Sequence, residues 1–558
     1  MQPVPAPELQ TRSGGRVLVD ALKNHGVTTA FCVAGESYLD VLDAFHDTPE
    51  IKLVTCRQEG GAAFMAEAHG KLTRTPGICL VTRGPGACNA SIGVHTAMQD
   101  STPMILLVGQ VARDQIGREA FQEIDYRRFF APPVTKWAEQ IDSADRIPEM
   151  IARAFRIAME GRPGPVVLAL PEDMLCEQVF AADVAPMPLS GNPPAADDLA
   201  KLNTLIAKAE NPVALIGGSG WTDQAVEDFS EIAAQLGLSV TTGFRRQDAF
   251  PTSHDSFIGE LGTGANPALI AHVKQADFVL AIGTRLSEIV TQGYTLLQAP
   301  TPQQTLVHIH ASGAELGKVY TPALGIAAAT EAFCAAWKDT LPKPNTAWKK
   351  HTEQARATYL DWSTIKDTDK YPLDMDYIFA ALQKRLPKDV IFTTDAGNFS
   401  CWAQRYLPYG RPGRLLAPTS GAMGYGFPAA LAAALAHPDR IIIGMAGDGG
   451  IMMNGQELAS AVQQKAAPIM LVFDNGIFGT IRTHQEKRYP GRISATELLN
   501  PDFAAWAESF GANGFAVHGN KEFDAALEAA LADRKKPSII ECNISAEQIL
   551  PGKKLSTL

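Results

Sequence analysis

The stretch IIIGMAGDGGIMMNGQELASAVQQKAAPIMLVFDNG (441–476) decides how this chain is read. It opens on an apolar run that breaks at Gly447-Asp448-Gly449-Gly450. A helix-forming segment follows from Asn454-Gly455-Gln456-Glu457, and a second apolar run, 468–473, ends at Asp474-Asn475-Gly476. Unbroken apolar runs of this length are how parallel strands covered on both faces read. The spacing is that of one strand–helix–strand unit, whose right-handed crossover sets the two strands beside each other. Asp448 and Asn475 then stand at carboxyl ends of parallel strands, where α/β sheets bind their ligands.

A carboxylate, an amide oxygen and backbone carbonyls are hard donors. They suit Mg²⁺ or Ca²⁺, with phosphate oxygens and water completing the shell. The glycines let backbone approach a phosphate, and the helix that follows offers its N-terminal N–H groups. The chemical reading is a diphosphate bridged by a metal. The plain alternative is an Asp-Gly turn followed by an Asn-Gly turn. The strand context and the spacing favour the metal site.

Outward from this unit the same rhythm recurs. Apolar runs at 53–56, 78–82, 104–108, 166–170, 213–216, 278–282, 306–309, 390–393, 441–445, 469–473 and 538–542 read as strands. Amphipathic segments at 61–72, 147–159, 223–236, 456–465 and 522–534 read as helices between them. The expected fold class is α/β, with three doubly wound parallel-sheet domains. Residues 186–196 are rich in Pro, Gly and Ser, and 341–372 is polar with helical flavour; both read as linkers. The expected domains are 1–185, 197–340 and 373–545, with a tail at 546–558. No short repeat is visible, and the sequence does not show whether the first and third domains copy one another.

Composition narrows the function. The 558 residues are 46% hydrophobic and 20% charged, as in folded proteins. A net charge of −11 offers no footprint for phosphate backbones, which disfavours nucleic acid. No apolar stretch approaches the length of a membrane span, and residues 1–15 carry no signal pattern. The eight cysteines at 32, 56, 79, 88, 176, 334, 401 and 542 include no CxxC pair. That scatter suits a reducing, cytoplasmic location and argues against a disulfide framework or a zinc site.

In RQEGGAA (57–63) a carboxylate, Glu59, follows the apolar run 53–56 among small residues. Burial is expected, and a buried carboxyl can share a proton with a heterocycle nitrogen. Taken alone, Glu59 reads more simply as an acid at a helix N-terminus.

The stretch 447–476 resembles the thiamine-diphosphate motif, which opens on GDG and closes on an Asn pair; here the pair is Asp474-Asn475. The resemblance implies that Asp448, the Asn475 side chain and the Ile477 carbonyl hold Mg²⁺ on the diphosphate. Gly449, Gly450, Phe478 and Gly479 then belong to the cofactor site. SGAMGYGFPAA (420–430) looks like the segment whose Met423, with Gly421, props the coenzyme. DAGNF (395–399) resembles a diphosphate loop and contributes Gly397, Asn398 and Phe399. Glu59 would face the aminopyrimidine ring and activate the coenzyme, whose carbanion chemistry does the work.

Segments 82–111, 118–138, 162–174 and 492–512 and the ending LPGKKL are similar to acetolactate synthase large subunits and their near relatives. The likeness covers most of the chain. It implies decarboxylation of a pyruvate-like 2-oxo acid, followed by addition of the enamine to a second carbonyl. It also implies a homodimer or homotetramer with the cofactor between chains. Gln122, Lys136 and His484 would be catalytic, substrate-side residues, with Phe121 beside them. In other settings Gln122 is a surface amide and Lys136 a solvated charge.

Three departures stand out. Gln58 replaces the usual His before the glutamate. His484 stands where the family has a Trp shaping the second-substrate pocket. Gly217, Gly218, Gly262 and Arg285 in the central domain and Arg162 in the first domain fit an FAD site, but Ser287, Ile289 and His310 do not. FAD, an ADP or coenzyme A nucleotide, or the chain's own side chains remain open as its filling. A 2-hydroxyacyl-coenzyme A lyase, a simple decarboxylase and a non-catalytic paralogue are the rival readings. The first needs basic residues, for which Arg245-Arg246 is the obvious pair. A nicotinamide dehydrogenase is disfavoured, because Gly217-Gly218-Ser219-Gly220 lacks the GxGxxG spacing.

Overall fold

The computed structural model describes residues 11–188 and 191–558. Residues 1–10, part of the segment read for a signal pattern, lie outside the described residues, as do 189 and 190 in the expected linker. The chain divides into two compact units, 1–189 and 190–558.

The first unit holds a parallel sheet of β1 (Thr29–Cys32), β2 (Lys52–Thr55), β3 (Gly77–Thr82), β4 (Met104–Gln110), β5 (Trp137–Gln140) and β6 (Pro165–Pro171). Its order is β2-β1-β3-β4-β6-β5. β4 and β6 are buried at every residue, as their unbroken apolar runs require. Two helices matter for the site: α1 (Glu59–Thr73), which follows β2, and α2 (Arg83–Asp100), which follows β3. They pack backbone against backbone. A Cβ on Gly93 would fall 2.4 Å from that of Ala63, and one on Gly60 would fall 3.2 Å from the Asn89 carbonyl oxygen.

The second unit holds two six-stranded parallel sheets. The central one comprises β7 (Pro212–Ile216), β8 (Ser239–Thr242), β9 (Phe257–Glu260), β10 (Phe278–Ile282), β11 (Thr305–His310) and β12 (Leu324–Ala327). Its order, β9-β8-β7-β10-β11-β12, is the one dinucleotide-binding sheets use. The stretch 341–372, expected to be a linker, carries helix α3 (Thr346–Ser363). Its apolar residues cover the central core: Trp348 is buried and donates to the Ala209 carbonyl at 2.9 Å. Tyr359 meets the Phe257 ring edge-on at 5.1 Å.

The last sheet comprises β13 (Ile391–Thr394), β14 (Leu415–Leu416), β15 (Ile442–Gly447), β16 (Ile469–Asp474), β17 (Asn513–Val517) and β18 (Ser538–Asn543), ordered β14-β13-β15-β16-β18-β17. This is the permutation of the first unit's sheet, so one scaffold occurs twice. Helix α4 (Asp448–Asn454) starts directly after β15, earlier than the start expected near residue 454. The expected helix 456–465 is instead a 3-10 turn, Gly455–Glu457, and a short helix, Leu458–Gln463. Extended backbone at Gly447 ends β15 and serves as the N-cap, so the helix begins on the acid itself. Helix α5 (Gly479–Arg488) follows β16. Among the described residues no helix is long and apolar enough to cross a membrane.

Candidate functional site

β15 and β16 are hydrogen-bonded neighbours, with Gly447 level with Phe473. Their carboxyl ends therefore bring Asp448 beside Asp474 and Asn475. Asp448 is 3% exposed. Its Oδ1 accepts from the Gly449 N–H at 2.8 Å, and its Oδ2 from the Gly476 N–H and the Asn500 side chain, each at 2.9 Å. The Asn500 amide also donates to Asp474 Oδ1 at 2.8 Å. Burial lifts the Asp448 carboxyl above the usual carboxylate range, and the charge of Asp474 adds to that.

The donor chemistry fits a hard divalent cation. The three hydrogen bonds leave Asp448 about one of a carboxylate's roughly four acceptor positions. The Asn475 oxygen accepts once, from the Ile477 N–H at 3.2 Å. Among the described residues no group of three or more His, Cys, Asp or Glu side chains is arranged to hold a metal. A cation here needs the amide, the Ile477 carbonyl and oxygens brought by a ligand.

Around this centre the other expected residues fall as follows. A Cβ on Gly450 would lie 2.6 Å from Asp395 Oδ2, and one on Gly449 would lie 2.4 Å from the Phe478 ring. Both positions must stay bare for α4 to pack there. Asp395 is buried and accepts from Ala396 N–H at 2.7 Å and Gly424 N–H at 2.9 Å. Burial pushes its carboxyl up to about 6. It thereby clamps the Gly421–Met423 segment to the end of β13. The Asn398 amide is engaged at both ends: it donates to Thr483 Oγ1 at 3.0 Å and accepts from Thr480 Oγ1 at 2.9 Å. It links its loop to α5, on which His484 is exposed. The Phe399 ring stacks on Phe473 at 5.4 Å inside the core, and a Cβ on Gly397 would strike that ring. Beside Gly479 lies the Ile549 side chain.

In the first unit Glu59 opens α1, and the preceding Gln58 side chain accepts from the Gly61 N–H at 3.0 Å. Gln58 thus does local capping work. Glu59 is half-buried in the single chain, less than its small neighbours led us to expect. Its Oε2 accepts from the Asn89 side-chain amide at 2.9 Å. Gln122 has a φ of 67°, and its carbonyl accepts from the Gly84 N–H at 2.9 Å, near the start of α2; Phe121 beside it is 71% exposed. Lys136 is elsewhere. Its Nζ donates to the Glu160 carbonyl at 2.6 Å, and Arg162 donates to Ser101 and to the Met98 carbonyl. Gln122 and Lys136 are therefore separated by roughly 20 Å of α2, at 1.5 Å per residue. Burial, helped by the charge of Arg162, lowers the Lys136 ammonium to about 8.

The glycines expected at a central-domain nucleotide site are closely packed. Gly218 has a φ of 75° and sits against the Gly283 carbonyl. The Gly217 carbonyl accepts from the buried Trp221 indole at 2.9 Å. The Phe244 ring fills the space beside Gly262, and Thr284 that beside Gly217. Arg285 is half-buried nearby. The His310 ring accepts from the Ser312 N–H at 2.9 Å. These contacts are made by the chain's own residues. The Arg245-Arg246 pair is likewise engaged within the protein. Arg245 is buried and donates to the Pro418 carbonyl at 2.6 Å and the Asp395 carbonyl at 3.2 Å; Arg246 pairs with Asp248.

Sequence reasoning missed Asn89 and Asn500. Single amides carry no motif, and only their position beside carboxylates marks them.

Three family models match the chain. They are the thiamine pyrophosphate enzyme N-terminal binding domain over residues 12–129, the central domain over 199–337 and the C-terminal binding domain over 395–542. The acetolactate synthase large subunit of Parasynechococcus marenigrum is 32% identical over 98% of this chain and 90% of its own length. The acetolactate synthase isozyme 2 large subunit of Escherichia coli is 31% identical over 93% of each. The acetolactate synthase large subunit of Haemophilus influenzae is 29% identical over 97% of this chain and 96% of its own.

Proposed function

This chain belongs to the thiamine pyrophosphate enzyme family, and we propose that it is a carboligase of acetolactate synthase type, decarboxylating a pyruvate-like 2-oxo acid and joining the remainder to a second carbonyl. The carrying observation is the oxygen-donor ring of Asp448, Asp474 and Asn475 at adjacent strand ends, in a chain related along nearly all its length to acetolactate synthase large subunits.

When bound, thiamine diphosphate supplies the nucleophilic carbon and the sink for the electrons released as CO₂ departs. The residues of this chain do the rest. Asp448, Asn475 and the Ile477 carbonyl would hold Mg²⁺, and bare backbone at Gly449 and Gly450 would admit the diphosphate. Asp395 fixes the segment bearing Met423. Glu59 holds or yields a proton at its carboxyl, facing the pyrimidine end. His484 is assigned to the second carbonyl. Gln122, on its strained backbone, is assigned to the first substrate. Lys136 and Arg162 form a separate corner and are given no part in the chemistry.

Half-burial of Glu59 supports an assembly of at least two copies, a homodimer or homotetramer, in which a second copy excludes water from that carboxyl. None of the eight cysteines is in a disulfide, which supports a reducing, cytoplasmic compartment. The domain limits 1–185, 197–340 and 373–545 are kept, with α3 joined to the central domain. The closed glycine turn supports a central domain filled by its own side chains rather than by FAD. A coenzyme A lyase is disfavoured by the engagement of Arg245.

The test is direct. Purified protein with Mg²⁺ and thiamine diphosphate should release CO₂ from pyruvate and yield a 2-hydroxy ketone or acetohydroxy acid. No CO₂ from any simple 2-oxo acid would end this reading.

A further inference from the structure

We propose that Asn89 is a positioning residue for Glu59: its side-chain amide holds Oε2 and thereby confines the exchangeable proton of Glu59 to Oε1. This rests on the reading of Glu59 as the acid facing the coenzyme.

The geometry is specific. Asn89 Nδ2 donates to Glu59 Oε2 at 2.9 Å. A carboxyl oxygen that accepts a hydrogen bond is disfavoured as the site of the carboxyl's own proton, which goes to the other oxygen. Oε1 accepts no hydrogen bond among the described residues, and its near neighbour on α2 is Gly86, where even a Cβ would stand 3.6 Å away. One oxygen is engaged by the protein, and one is presented.

The donor is held by the helix packing. Gly86, Asn89 and Gly93 are spaced i, i+3, i+7 and share one face of α2. Gly93 lets α2 settle against Ala63 of α1, and Gly60 lets α1 settle against the Asn89 backbone. Asn89 therefore crosses a gap set by glycines, opposite the first residue of α1. Tyr38 and Cys79 are also within electrostatic range of Glu59, and burial pushes both far up. They stay neutral across the working range and do not compete for the proton.

The experiment compares holoenzyme carrying Asn89→Asp or Asn89→Ala with the wild type. It follows the near-ultraviolet circular-dichroism signal of the bound aminopyrimidine against pH, together with kcat, KM and thermal midpoint. Asn89→Asp keeps the size, removes the donor and adds a negative charge, so the shared proton is held more tightly. Its spectroscopic midpoint should rise by about one pH unit, and Asn89→Ala should rise less. In both, kcat should fall about 10- to 100-fold, with KM for the 2-oxo acid and the melting temperature little changed. Unaltered midpoints and kcat beside an active wild type would overturn the positioning role alone. A wild type that binds no thiamine diphosphate in magnesium buffer would remove this proposal together with the Glu59 reading.

Discussion

Asn500 donates to Asp448 Oδ2 across 2.9 Å, and with the same amide nitrogen it reaches Asp474 at 2.8 Å. One neutral donor thus reconciles two carboxylates at the proposed cation seat. Asn500→Ala should leave them repelling each other and weaken Mg²⁺-dependent binding of thiamine diphosphate by about 10- to 100-fold, as loss of an outer partner of a metal ligand does. Titration calorimetry of the apo-protein checks it. Affinity equal to wild type would count against the cation seat.

Removing the ion should be more severe. Asp448→Asn, or chelation of the wild type, should abolish measurable coenzyme affinity while leaving the fold intact by circular dichroism. Undiminished coenzyme binding in excess chelator would contradict the Asp448 assignment.

Trp348 anchors α3 to the central core and satisfies its indole N–H on Ala209. Trp348→Ala should cost about 3–5 kcal/mol of stability in denaturant unfolding, the usual range for emptying a buried aromatic site. A loss under 1 kcal/mol would mean that α3 is dispensable to the core.

Lys136 gives a pH dependence with a definite sign. Its ammonium titrates at about 8 in the folded chain, below its ordinary value of 10.5. The unfolded chain therefore binds more protons between these pH values, so wild-type stability rises with pH across that window. Lys136→Met removes the cost of the buried charge. It should be the more stable protein at pH 7, by about 1–2 kcal/mol after allowance for partial exposure, and the advantage should vanish by pH 11. A difference independent of pH would show that Lys136 is not desolvated.

His484 is exposed on α5, while its neighbour Thr483 is tied to Asn398. His484→Ala should leave CO₂ release from pyruvate within about twofold and change the ratio of products when two acceptors compete, a difference of about 1–3 kcal/mol at most for one pocket contact. An unchanged product ratio would remove His484 from the acceptor pocket.

Most strands legible in the sequence were the ones buried on both faces; β2, with one buried residue, is the exception. Every apolar run from 53–56 to 538–542 is a strand, since interior positions tolerate no polar interruption. β5, β9, β12, β14 and β17 are edge strands with short or polar-interrupted runs, whereas the edge strand β2 kept a readable one; β1 and β8 are diluted by Thr, Ser and Cys. Asp448 and Asn475 were legible because chemistry and strand spacing coincide. Asn89 and Asn500 were not, since each depends on a contact between segments far apart in the chain. The tether of Asn398 to α5, and the turn of Arg245 from ligand pair to inner brace, likewise depend on tertiary neighbours.

The repeated strand order has an electrostatic sequel. In both outer sheets the residue just after the third strand opens the next helix: Asp448 after β15, Arg83 after β3. Arg83 holds a φ of 38° and is balanced by Glu172 at 2.7 Å and Glu36 at 3.4 Å. Matching addresses in the two sheets thus carry side chains of opposite charge. At the Arg83 address the carboxylates are already engaged by the guanidinium, so each polypeptide should titrate magnesium with a stoichiometry of one.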